Sequence, residues 1–293
     1  MKEVKKLVFY SCGNNGDIHY SRNFVKHIAQ SLPVQSEYQM NCNPLVLKDI
    51  GIPIHSFNSG SIFQNEMVYV ENEKSLWINT WVGSSNAKFI LNEVGCSLTA
   101  NFEKYKEIYQ VMNLNMLEPK DYVPDISWES YDLSDANNFV STNMLEKMVL
   151  ISNGPVMSGQ SQNIDLNPVV EKLAENNPNI SFVLTNNQSK VNKPNVAYTA
   201  DILKSTSCDL NEIAYLGTKS CLIVGRASGP FCFCHNKTTL FDFSKTFIAI
   251  TNYRTDGLWA LPHQLPEKQA KQLWTNKFDN DSIYDIIQGE LNR

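Results

Sequence analysis

A continuous apolar run in KKLVFYSCG ends at a glycine, and the following NFVKHIAQSL carries its apolar residues at helical spacing. Together they predict a buried strand, a glycine-rich turn and a helix. Short apolar runs recur at PLVLKDIGI, MVYVEN and SLWINTWVG, and NFEKYKEIYQVMNLNML has the helical period. From residue 118 to 138, EPKDYVPDISWESYDLSDANN breaks the pattern with Asp, Ser, Pro and Asn, the composition of a linker or long surface loop. Beyond it the alternation sharpens. KMVLISNG is a strand, LNPVVEKLAENNP a helix with proline at an allowed early position, and ISFVLTNN the next strand. VAYTAD, DLNEIAYLGTKS and CLIVGRASG continue as strand, helix and strand, with Asp209 as N-cap of that helix. The final PEKQAKQLWTNKFDNDSIYDIIQGELNR carries Leu273, Trp274, Phe278, Ile283, Ile286 and Ile287, and predicts one or two amphipathic helices packed on the protein.

Strands that alternate with helices of about 10–15 residues are the pattern of parallel βαβ units. The chain therefore reads as α/β, with two Rossmann-like parallel-sheet domains facing a cleft, residues 1–140 and 141–293, the second ending in the C-terminal helices. A length of 293 residues suits two domains of ordinary size, and 42% hydrophobic against 19% charged residues excludes disorder. The net charge of −5 leaves no basic surplus for nucleic acid as a partner. No run approaches the roughly 18 apolar residues of a membrane span, and the run after Lys6 is too short for a secretory core. These features predict a cytoplasmic protein without a transmembrane segment, whose contact with a membrane is at most peripheral. Seven cysteines (12, 42, 96, 208, 221, 232 and 234) lack a paired CxxC spacing and read as reduced, buried thiols.

In an open α/β sheet, ligands bind beyond the carboxyl ends of the strands, where turns enter helices. Three turns have that position: CGNNGD at 12–17, SNGPVMSGQSQ at 152–162 and GRASGP at 225–230. In the first, Gly13 and Gly16 allow close backbone approach, Asn14 and Asn15 offer amides, and Asp17 and His19 are titratable, with Arg22 one turn on. The spacing is not GxGxxG, which argues against a dinucleotide fingerprint and an NAD-dependent enzyme. Asp17 has two readings, a helix cap or a general base towards a hydroxyl. In the third turn Arg226, Ser228, Gly229 and Pro230 read either as a capped helix or as amides and a hydroxyl aimed at a diphosphate.

A strand followed by a Gly-Asp turn resembles the N-terminal motif of GT-B glycosyltransferases of the heptosyltransferase, family 9-like, group. The resemblance implies that Asp17 is the base that activates the acceptor hydroxyl. VGRASGP resembles that group's donor-contacting turn and maps onto Ser228, Gly229 and Pro230. ISNGPVMSG resembles the first turn of its donor domain, which places Asn153, Gly154 and Ser158 near the donor phosphates. The implied activity is transfer of a sugar from a nucleotide-sugar donor to a glycan or glycolipid acceptor of the lipopolysaccharide type, without cofactor or metal and with inversion, as in polysaccharide biosynthesis. Asp17 takes the proton, His19 or Arg22 orients the acceptor, and the 154–158 and 226–230 turns stabilise the departing diphosphate. GNNGD at 13–17 is also similar to the first turn of polysaccharide pyruvyl transferases, although Arg226 has no histidine two residues on. A non-catalytic nucleotide- or glycan-binding relative is the further alternative.

Lone residues add less. Cys232-x-Cys234-His235 has no second ligand pair for a structural metal, and His235 and His263 read as packing or surface residues. Arg254 and Asp256 in TNYRTDGLW form either a ribose or phosphate grip or a loop ion pair. Trp77 and Trp81 in LWINTWVGSSN are either a sugar-stacking acceptor surface or one face of a core strand.

Overall fold

β1 (Lys6–Ser11), whose residues are buried from Leu7 onwards, is the third of five strands in the first of two sheets, ordered β3-β2-β1-β5-β4. β2 (Gln35–Met40), β3 (Ile54–Ser56) and β5 (Ser75–Asn79) run parallel to it, and β4 (Met67–Val70) pairs antiparallel to β5 at the edge. The computed structural model describes residues 3–11, 13–57, 66–84, 97–156, 159, 161–204, 208–226, 228–252 and 269–293. Ser158, Arg254, Asp256 and His263 from the sequence reading lie outside the described residues, as do Cys12 and Cys96.

The chain divides into two compact units, the first running to Ser130 and the second starting at Tyr131. The second sheet has six parallel strands in the order β11-β10-β9-β6-β7-β8, formed by β6 (Lys147–Ser152), β7 (Ile180–Leu184), β8 (Val196–Tyr198), β9 (Leu222–Arg226), β10 (Thr246–Ile250) and β11 (Lys271–Thr275). Read from β8, this is the doubly wound order whose direction reverses between β6 and β9. In the first sheet the reversal falls between β1 and β5. Each unit is thus a Rossmann-like α/β layer with its own crevice position.

Four segments differ from the sequence reading. PLVLKDI is a 3₁₀ segment, not a strand, because Asn43 caps it by accepting the Leu45 N–H at 3.0 Å. QSEYQM, which has no clear alternation, is β2. KQLWT is strand β11, pairing with the buried TFIAI strand β10, and only Asn280–Leu291 is helical at the C-terminus. Residues 118–130 are not a loose linker. Tyr122, Val123 and Ile126 are buried, Tyr122 stacks on Phe24 at 4.9 Å, and the Asn23 side chain bonds Asp121 O, Val123 O and Asp125 N.

His235 lies wholly inside the second unit, stacked on Phe247 at 4.6 Å and edge-on to Phe231 at 4.9 Å. Among the described residues no three His, Cys, Asp or Glu side chains converge as metal ligands. Burial pushes the His235 imidazole down to a pKa of about 3. The unfolded chain therefore binds a proton below about pH 6.5 that the folded chain refuses, so stability falls as pH drops from that value towards 3. Between pH 7 and 5 the wild type should lose roughly 2 kcal/mol more than His235→Leu. Urea melts at the two pH values check this, and an equal loss in both proteins contradicts it.

Candidate functional site

At the β1–β5 reversal, the chain leaves β1 at Ser11, whose hydroxyl accepts the Gly13 N–H at 3.0 Å. Asn14, extended at φ −82° and ψ 174°, is the N-cap of helix Asn15–Ser31, with which Asp17 forms a capping box. The Asp17 Oδ2 accepts the Asn14 N–H at 3.0 Å. Asp17 is thus a cap, yet one oxygen of its half-buried carboxylate is not committed to that bond. Burial raises its pKa above the ordinary carboxylate range, against the pull of the Asn14 and Asp17 backbone N–H groups.

Beside it stands Trp81, just beyond the end of β5. Its N–H is held by the Asn79 side chain at 3.0 Å and its carbonyl by the Lys104 ammonium at 3.1 Å. The indole is wedged between two glycines. A β-carbon at Gly13 would lie 2.9 Å from Trp81 Cδ1 and 2.9 Å from Asp17 Oδ2, and one at Gly83 would lie 2.5 Å from Trp81 Cζ2. Only glycine at both positions lets the ring sit against the turn. Trp81 remains 37% exposed, an aromatic surface adjoining a carboxylate, whereas Trp77 is half-buried and packs edge-on against Tyr10. Gly13, Asn14, Asn15, Gly16 and Asp17 are therefore brought together, and Trp81 joins them.

His19 and Arg22 do not join them. Positions two apart on a helix do not face each other, and His19 is fully buried against Tyr20 on the inward side. Arg22, also fully buried, donates from Nη1 to both Asp49 carboxylate oxygens at 2.9 and 2.8 Å and from Nη2 to Val46 O at 2.7 Å. Both placements correct the expected acceptor-orienting role, since neither side chain reaches the surface that Asp17 borders.

In the second unit, Asn153, Gly154, Arg226, Ser228, Gly229 and Pro230 gather at the carboxyl ends of β6 and β9. Ser152 and Ser228 share a hydrogen bond of 3.0 Å across the reversal. A β-carbon at Gly225 would meet Ser152 Cβ at 2.7 Å, so glycine permits this closeness. Ser228 is the extended N-cap of the short helix Gly229–Phe233, and Pro230 sits one residue further in than the first helical position. Arg226 is 97% buried, donating from Nη1 to Ile164 O at 3.0 Å and from Nη2 to Asn153 O. It braces two backbone turns, which corrects a direct ligand-gripping role, and burial lowers its pKa. Asn153 and Asn186 exchange side chain to backbone bonds of 2.9 and 2.8 Å. These residues border a pocket of about 260 Å³ whose walls include Asn163, Asp165, Asn186 and Arg226.

Two doubly wound sheets in one chain, each with its polar turns at the strand-order reversal, match known transferase structures. A glycosyl transferase family 9 protein from Veillonella parvula superposes with a TM-score of 0.53 at 12% identity, over 98% of this chain and 90% of that one. The fold is of the GT-B type. The E. coli ADP-heptose lps heptosyltransferase II matches with a TM-score of 0.50 at 10% identity, over 98% of both chains. At these identities the likeness is one of fold. No protein-family model and no curated protein sequence matches the chain. In this GT-B chain, Trp81 is what the sequence reading left undecided and Lys104 is what it missed. The one available signal was a lone lysine on the apolar stripe of NFEKYKEIY.

Proposed function

We propose that this chain is a glycosyltransferase that moves a sugar from a nucleotide-sugar donor on the second unit to a hydroxyl of a glycan or lipopolysaccharide-type acceptor on the first. The observation that carries the reading is the Asp17 carboxylate, lifted in pKa by burial, at the strand-order reversal and flanked by an exposed tryptophan ring. A carboxylate so placed accepts the acceptor O–H proton while the oxygen attacks the anomeric carbon and the bond to the nucleoside diphosphate breaks. Direct attack inverts the anomeric centre. An indole face stacks on a pyranose and orients it, which suits the acceptor side. The Ser152–Ser228 pair and the Gly229 amide suit the developing negative charge of the leaving diphosphate, with no metal required of the chain. The amide-lined pocket beside Arg226 suits the hydroxyls of a ribose.

Thermal melts with UDP, GDP, ADP, CMP, CMP-Kdo, ADP-heptose, phosphoenolpyruvate and NAD test the donor class. A ligand at 100 times its Kd adds about 2.7 kcal/mol to the unit that binds it. Stabilisation by one nucleotide or sugar nucleotide is expected. Stabilisation by phosphoenolpyruvate or NAD alone overturns the reading.

A further inference from the structure

Lys104 is a lysine with a fully buried side chain, a rare placement for an ammonium. It projects from helix Ser97–Met112, donates a hydrogen bond of 3.1 Å to the Trp81 carbonyl and forms an ion pair of 3.5 Å with Glu66, the residue before β4. Burial brings its pKa down to about 8 against the opposing pull of Glu66. Replacing a buried ion pair by apolar groups is often neutral or stabilising, so stability alone gives little reason for this lysine. Its placement does. The chain has left the β-ladder at Asn79, so Trp81 is anchored by side chains at both backbone groups, Asn79 on its N–H and Lys104 on its carbonyl. The ring those anchors aim is the one packed against Gly13, whose other neighbour is the Asp17 carboxylate.

We infer that Lys104 is a positioning residue that holds the Trp81 indole in its slot between Gly13 and Gly83, beside Asp17, and so sets the acceptor platform. The effect on turnover rests on the transferase reading, whereas the effect on the indole does not. Lys104 would act through Trp81 and touch no substrate.

The test uses the full chain labelled with 5-fluorotryptophan, in which Trp81→Phe identifies the Trp81 ¹⁹F resonance. Lys104→Met with Glu66→Gln removes the ammonium without stranding a half-buried carboxylate, and Glu66→Gln alone keeps the bond to the carbonyl. In the double variant the Trp81 resonance should move towards that of solvent-exposed indole, with the other tryptophan resonances in place. In Glu66→Gln it should stay. An unmoved resonance in the double variant overturns the inference, as does an equal shift in Glu66→Gln, which would assign the effect to the ion pair. Where transfer is measurable, the double variant should lose roughly ten- to a hundredfold in kcat/KM for the acceptor, with the donor KM unchanged. Absence of transfer in the wild-type chain counts against the function and leaves the ¹⁹F result to decide the role of Lys104.

Discussion

Replacing Asp17 by Asn should lower turnover about 10²- to 10⁴-fold while leaving nucleotide-induced stabilisation unchanged. Asn keeps the size of the side chain and an oxygen that can accept the Asn14 N–H, so the capping contact of 3.0 Å survives in the variant. What it loses is proton affinity. In the wild type, activity should fall on the acid side as the carboxylate protonates, with a midpoint above the ordinary aspartate value because burial raises its pKa. Steady-state rates against pH, alongside melts with the stabilising nucleotide, check both halves. Retained turnover in the variant removes Asp17 from the chemistry. Loss of stability together with turnover returns it to a plain helix cap.

Arg22→Met should destabilise the first unit by about 3–5 kcal/mol, because Asp49 would then carry a buried charge without its guanidinium. The pair is closed: Arg22 takes both Asp49 oxygens, and Asp49 Oδ2 also accepts the Ser127 N–H at 3.0 Å. At this unit size the loss corresponds to a melting temperature lower by roughly 10 °C. Adding Asp49→Leu should recover much of it, since an apolar pair replaces the ionic one without an orphaned charge. A single variant that melts like the wild type would show that Asp49 is reached by water after all.

The sequence displayed the strands that are buried on both faces. KLVFYS, KMVLIS and LIVGR are near-continuous apolar runs that end in polar turns, so β1, β6, β9 and the turns behind them could be read directly, and with them Asp17, Asn153 and Ser228. β2 was hidden because QSEYQM alternates neither apolar nor polar; its place comes from pairing with β1. KQLWT was drawn into a helical stripe by Phe278 and Ile283 beyond it, and only the edge of β10 reveals it as a strand. Composition misled at 118–130, where Asp and Pro announce a linker but Tyr122, Val123 and Ile126 supply the apolar anchors that tie it down. Arg22, expected to orient the acceptor, has a position that already points inward. It stands four residues after Ile18 and three before Val25, on the buried stripe of its helix, where a charge needs a partner. Asp17 and His19, two residues apart in the written motif, point to different sides once the helix turns 100° per residue. Lys104 and the Trp81 slot depend on contacts between distant segments that no local pattern encodes.

The wedged indole also changes what counts as the motif. Written along the chain, Gly13, Asp17, Trp81 and Gly83 are two unrelated scraps, a turn glycine with an aspartate and a tryptophan with a glycine. In space they are one steric unit, in which each glycine is dictated by the size of the same ring. The signature to look for in related sequences is therefore discontinuous, Gly-x-x-x-Asp together with Trp-x-Gly, and the absence of either half should free the other to vary.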